Sequence, residues 1–200
     1  LRDMVALSER TRYEPDAKVL TLLDWIRDNL CGDVGLGRSR RPSAGRAAWA
    51  PKRVILFTEY ADTKRYLTQI LQSAVEGCSD AERRILGFHG AMSDEQRERV
   101  QTAFNADPEK EPARILIATD AAREGLNLQN HCAHLFHIDV PWNPARLEQR
   151  NGRIDRTLQP EDDVWCHYFV YPDRAEDAVL DRLVEKIDRI QRELGTLGEV

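Results

Sequence analysis

The chain of 200 residues contains no apolar run long enough to cross a membrane and no apolar leader near its start. A membrane span and a secretory signal are therefore not expected, and the cytoplasm is the default compartment. Four cysteines, Cys31, Cys78, Cys132 and Cys166, are scattered without C-x-x-C spacing. That pattern supports neither a disulfide framework nor a zinc site. His131, Cys132, His134 and His137 lie close in sequence, but strand alternation would send His134 and His137 to opposite faces, so no metal site is expected. Lysine is scarce, at five of the 29 basic residues, and the net charge is −5. Overall charge thus does not advertise a nucleic-acid binder, although what matters is the field of one face. There is also no Gly-x-x-x-x-Gly-Lys-Ser/Thr loop and no acidic box after a strand, the usual parts for cradling phosphates and holding magnesium. Asp94-Glu95 falls in what reads as the first turn of a helix, where carboxylates suit the dipole. Nor do a base, a nucleophile and an orienting residue gather near a glycine elbow, which argues against a self-contained hydrolase using His89 or a cysteine.

What is present alternates between strands and helices. Arg53–Thr58, Arg84–Phe88, Ala113–Ala118, His134–Asp139 and Val164–Val170 read as strands, and Ala61–Val75 and Ser93–Phe104 as helices. The second helix opens on the capping pair Ser93 and Gln96. Such alternation implies an α/β fold with a mostly parallel sheet and helices on both faces. Asp16–Leu30 carries a broad apolar stripe from Val19 to Leu30 after a Glu14-Pro15-Asp16 start signal, predicting a helix on the sheet edge. Ala175–Leu194 places Val179, Leu183, Ile187, Ile190 and Leu194 at three- and four-residue steps, an amphipathic helix that suits the domain's own flank or a partner. Cys31–Pro51 is rich in glycine, arginine, serine and proline and reads as a long disordered basic loop, either a duplex-facing element or a bland insertion.

Two strand ends converge on one crevice. Arg114-Ile-Leu-Ile-Ala-Thr-Asp120 is an apolar run ending in small polar residues, followed by a helical turn over Ala121–Gly125. His134–Val140 repeats the pattern, and Pro141-Trp-Asn-Pro144 breaks the chain before a further helix. Carboxyl ends of buried parallel strands are where open α/β sheets bind ligands. The helix then carries Gln149-Arg-Asn-Gly-Arg-Ile-Asp-Arg156, with Arg153 and Arg156 three residues apart behind Gly152. On one helix they would share a face, and their fixed forks suit a terminal phosphate. Taken alone, the octet would equally suit a solvated charged helix.

With these pieces in order, the chain resembles the second, C-terminal motor lobe of superfamily-two helicases, closest to the Swi/Snf-type and RapA-like branch. The matching segments are Val54–Tyr60, Gly87–Gly90, Ile117–Asn127, Asp139–Pro144 and Gln149–Arg156 with Gln159 beyond, across roughly residues 50–172. The resemblance implies a RecA-like lobe over 15–172, a tail of a preceding region over 1–14 and a C-terminal helix over 173–200. It implies that Arg153 and Arg156 act as arginine fingers with Gln149 orienting them, and that Gly125, Asn127 and Gly152 face the nucleotide. Thr58, His89, Gly90, Thr119 and Asp120 match positions that touch a nucleic-acid backbone. A carboxylate repels phosphate, however, so Asp120 has the alternative of anchoring a loop or an arginine, and Thr58 and Thr119 that of strand-end turn residues. Trp142 could stack on a base but reads better as a buried wedge fixing the arginine helix. ATP and Mg2+ would be held mainly by a first lobe of the same parent chain, and the fragment alone would be inactive. The expected partner is nucleic acid, with double-stranded DNA favoured by the resemblance. A noncatalytic binding module on a motor-lobe fold is the alternative.

Overall fold

The computed structural model describes residues 15–37, 47–120, 127–156, 159–171 and Arg182. Five strands, β1 (Val54–Thr58), β2 (Ile85–Phe88), β3 (Ile115–Thr119), β4 (His134–His137) and β5 (Trp165–Tyr168), form one sheet in the order β2-β3-β1-β4-β5. Every pairing is parallel. The strands lie within a residue or two of the segments read from apolar runs. β1 and β3 are buried throughout, as strands covered on both faces must be.

The helices follow from local signals. Asp16 caps α1 (Ala17–Asn29) by accepting from the Val19 amide at 2.9 Å. Helix α2 spans Ala61–Val75, and α3 (Asp94–Asn105) opens on the expected Ser93/Gln96 capping box. Asn143 caps α4 (Pro144–Asn151), whose first residue is proline; its missing N–H would be an orphan at that position in any case. Alternate strand residues feed two cores. Val54, Leu56, Ile115, Ile117 and Phe136 pack with α1 and α2. Ile55, Phe57, Leu116, Ala118 and Leu135 pack on the other face with Phe104 of α3 and Ile154 beyond α4. The chain leaves β1 and β4 toward opposite sides of the sheet, so the crevice between their carboxyl ends is the topological switch point where ligands bind such sheets.

Three expectations change. Trp142 is not a buried wedge: it is 78% exposed. The Asn143 cap and Pro144 already fix the start of α4, so no bulky side chain has to be driven inward. Arg153 and Arg156 do not share a helix, because α4 ends at Asn151 and both follow it in turns. The described ends of the 31–51 stretch are packed rather than disordered. Cys31 and Val34 are buried, Gly35 donates to Ala74 O, and Ala50 donates to Leu30 O. The turn over 121–125, the loop arginines 38–46 and, apart from Arg182, the amphipathic segment 175–194 lie outside the described residues.

Candidate functional site at the carboxyl rim of the sheet

The organising residue of the rim is Arg150, which is 3% exposed. Its Nε donates to Asp120 Oδ1 at 2.7 Å and its Nη2 to Asp120 Oδ2 at 2.8 Å. Nη2 also donates to Asp139 Oδ1 at 3.1 Å, and Nη1 to the Asp139 carbonyl at 2.6 Å. The remaining Nη1 direction meets His137 Nδ1 at 3.4 Å. All five guanidinium N–H groups thus have acceptors, and the group lies over the Phe57 ring at 5.7 Å. Burial pulls the Arg150 pKa down, but hydrogen bonding and charge from Asp120, then Asp139, more than offset it, leaving it above the ordinary value.

Because a guanidinium can only donate, His137 Nδ1 must accept, so the proton sits on Nε2 and is donated to Asn151 Oδ1 at 2.9 Å. Burial, aided by the Arg150 charge, lowers the His137 pKa to about 3, and the ring is neutral. Asp139 also receives the Thr58 hydroxyl and, at 2.9 Å, the Glu59 amide. One network therefore ties the ends of β1, β3 and β4 to α4. Arg150 was legible within the octet but carried no assignment. The signal was available: Asp120 and Asp139 each follow an apolar strand, and a buried carboxylate needs a partner.

This network includes or adjoins several candidate residues. Asp120 is buried and accepts from Arg150 at both oxygens, the geometry of the arginine-anchoring alternative. Thr58 is buried, its hydroxyl donating to Asp139 and accepting from the Tyr60 amide at 3.2 Å. Thr119 is also buried. Neither side chain faces solvent, and the Thr58 hydroxyl braces the rim through Asp139. His89 and Gly90, just beyond β2, are partly exposed.

The arginine turn sits beside the network. Gly152 donates to Glu148 O at 2.8 Å, and a Cβ on Gly152 would meet that oxygen at 3.3 Å, so glycine permits the tight exit from α4. Leu128 donates to Arg153 O at 3.3 Å, which sews the Asn127 strip to the turn. The Asn127 carbonyl accepts from Asn105 Nδ2 at 2.6 Å, while its buried Oδ1 has no hydrogen-bond partner among the described residues. Gln149 and Arg153 line one small pocket with Phe57, Asp120, Arg146 and Arg150. Burial, then the neighbouring Arg156 charge, lowers the Arg153 pKa. Structure thus gathers Gln149, Gly152, Arg153 and Asn127, with Arg156 exposed at the end of the turn, whereas His89 and Gly90 stand two strands away beyond β2. Gly125 lies outside the described residues. His134 and His137 do face opposite sides: His134 packs on Trp25 of α1, and His137 on Asn151. Burial pushes the Cys132 and Cys166 thiols up to about 12, so neither offers a thiolate at neutral pH.

The family described as helicase conserved C-terminal domain matches residues 49–157, more than half of the chain and all of this rim. The chain belongs to that family. This helicase C-terminal domain is 36% identical over 148 residues to the protein named uncharacterized ATP-dependent helicase YqhH of Bacillus subtilis (strain 168), covering 74% of this chain and 24% of that protein. It is 34% identical over 111 residues to RNA polymerase-associated protein RapA of Pectobacterium carotovorum subsp. carotovorum (strain PC1), covering 56% of this chain and 10% of RapA. The domain therefore corresponds to a minor part of both relatives. Among solved structures, domain 2 of the Mss116p DEAD-box helicase, bound to an RNA duplex, superposes with a TM-score of 0.52 at 21% identity over 72% of this chain and 50% of the other. The C-terminal part of the Fun30 ATPase domain gives 0.52 at 20% identity over 66% and 39%. These likenesses show the fold, a RecA-like one. No helix among the described residues is long and apolar enough to cross a membrane.

Proposed function

We propose that this domain is the arginine-supplying lobe of an ATP-dependent translocase whose track is double-stranded DNA. The observation that carries the reading is the turn of Gly152, Arg153 and Arg156, held at the switch point by the Arg150 network and bonded to the Asn127 strip. Two like charges close enough for Arg156 to depress Arg153 fit a polyanionic ligand. The buried Asn127 Oδ1, which no described residue meets, fits a donor such as a ribose hydroxyl, since a buried acceptor without a partner costs free energy until one arrives.

When bound, ATP with Mg2+ would supply the phosphoanhydride whose hydrolysis drives movement. In this chain Arg153 and Arg156 would stabilise charge on the terminal phosphate, a role that contributes ~10³ to 10⁵ in rate in comparable enzymes. Gln149 would orient them, and Gly125, Asn127 and Gly152 would line the nucleotide side. His89 and Gly90 would contact the nucleic-acid backbone, which positions a strand without reading its sequence. Thr58, Thr119 and Asp120 enter this reading as supports of the rim. Exposed Trp142 would offer a stacking face. The phosphate loop and the metal-holding acid would come from a first lobe of the parent chain, in keeping with the small share of YqhH and RapA that this domain covers.

Arg153→Ala in the parent protein is expected to reduce ATP hydrolysis by at least ~10²-fold while nucleic-acid affinity changes little. Unchanged hydrolysis would remove the finger assignment. The 200-residue chain alone is expected to show negligible ATPase activity, and robust turnover by it would refute the division of labour between lobes.

A further inference from the structure

Away from the arginine turn, the carboxyl end of β2 gathers two basic side chains that the proposed function has not used, Lys64 and Arg97, beside His89. Lys64, in the first turn of α2, reaches across to the edge strand. A Cβ built on exposed Gly87 would lie 3.8 Å from Lys64 Nζ, so the ammonium rests over a stretch of β2 that carries no side chain. His89 follows two residues later. Arg97 of α3 completes the group and donates to Gly90 O at 2.9 Å, which holds the turn between β2 and α3. The same turn is closed by Met92 N to His89 O at 3.2 Å.

The charge balance here is one-sided. Burial lowers the Lys64 pKa. Burial, then the charges of Lys64 and Arg97, lowers that of His89, which puts the three groups within electrostatic reach of one another. The carboxylate bonded to the group is Asp94, fully exposed and 3.9 Å from Arg97 Nη1, which is weak compensation. The Lys64 ammonium has no hydrogen-bond or ion-pair partner among the described residues, whereas its backbone N–H donates to Tyr60 O and its carbonyl takes the Thr68 hydroxyl. A partly desolvated ammonium without an acceptor is unfavourable unless something anionic completes it. In a chain with five lysines and net charge −5, such a site stands out.

We propose that Lys64 is a nucleic-acid-binding residue that seats a backbone phosphate over Gly87, beside His89. The proposal rests on the nucleic-acid reading above and extends it to a side chain on α2. Arg97 serves the seat by fixing Gly90 and the His89 turn.

The test is the salt dependence of duplex-DNA binding by the parent protein, compared with its Lys64→Gln and Lys52→Gln variants. Both substitutions remove one lysine charge, but Lys52 lies at the opposite, amino end of the sheet. Each phosphate neutralised contributes about 0.9 to the slope of log K against log salt. Lys64→Gln should therefore lower the slope by about 0.9 and the affinity by roughly eightfold at about 0.1 M salt, uniformly across sequences. Lys52→Gln should leave both near the parent values. Lys64→Arg should restore most of the affinity, which a folding defect would not explain. A Lys64→Gln slope equal to the parent's, with the parent still binding DNA, would overturn the seat and leave the nucleic-acid reading intact. A parent that binds no nucleic acid would overturn both.

Discussion

The two ends of the sheet bury arginine in opposite ways. At the carboxyl rim, Arg150 sits between two carboxylates, those of Asp120 and Asp139. At the amino rim, Arg53, Arg84 and Arg114 each stand one residue before β1, β2 and β3, in register across the sheet, and all are buried. Their guanidiniums donate mainly to carbonyls. Arg53 reaches Ala113, Phe104 and Ala106, and Arg84 reaches Pro112 and Ser79. Arg114 reaches Ala50, Glu111 and Pro108. The electrostatic outcomes differ accordingly. Burial lowers the pKa of all three amino-rim arginines, and Arg114, further depressed by the Arg84 and Arg53 charges, falls to about 10. Arg150 alone is raised. The amino rim is a clasp that satisfies loop carbonyls. The carboxyl rim is an ionic network that fixes the elements presenting the arginine turn.

The sharpest way to break this contrast is to remove the cation from each rim. Arg150→Met should cost about 3 to 5 kcal/mol, because it strands the Asp120 carboxylate in the interior without its counter-charge. The urea midpoint of the chain would fall at an unchanged m-value. A loss below about 1 kcal/mol would mean that the network is not ionic in effect. Arg53→Met should cost less, about 1 to 3 kcal/mol, because it strands neutral carbonyls and also removes a desolvated charge. Equal losses at both rims, measured the same way, would erase the distinction.

The same contrast marks what could be read in advance. Strands and α2 were visible as apolar runs and helical stripes, and the α3 cap as Ser93 with Gln96, because those signals are local. The octet drew attention to Arg153 and Arg156, but the residue that organises the rim is Arg150, whose partners lie 30 and 11 residues away in sequence. Pairing across the sheet depends on strand order, which no local pattern encodes. For the same reason Asp120 could be offered the role of anchoring an arginine, but its partner Arg150 could not be named, nor that of Thr58. Trp142 was misjudged because side-chain size suggests burial, whereas the cap and proline beside it had already set the helix start. The amino-rim arginines carried no assignment, since each merely opens an apolar strand in the sequence and only register brings them together.

Histidines at the two ends of β4 extend the comparison to proton binding and give the smallest effect at neutral pH. His137, at the carboxyl end, is held neutral beside Arg150. His134, at the amino end, shares a 3.2 Å contact with His167, which stacks on Phe136 at 4.2 Å. Burial, then the His134 charge, lowers the His167 pKa to about 4. An unfolded histidine takes a proton below about pH 6.5, whereas folded His167 does not until about pH 4. Between these values the unfolded state binds more protons, so stability must fall as pH is lowered through that window. His167→Phe keeps the stack on Phe136 and removes the titration. Its stability curve should lose about one proton of slope between roughly pH 6.5 and 4 relative to the parent chain. Parallel curves across that interval would show that His167 is protonated in the folded protein, and that His134 and His167 do not form a neutral pair.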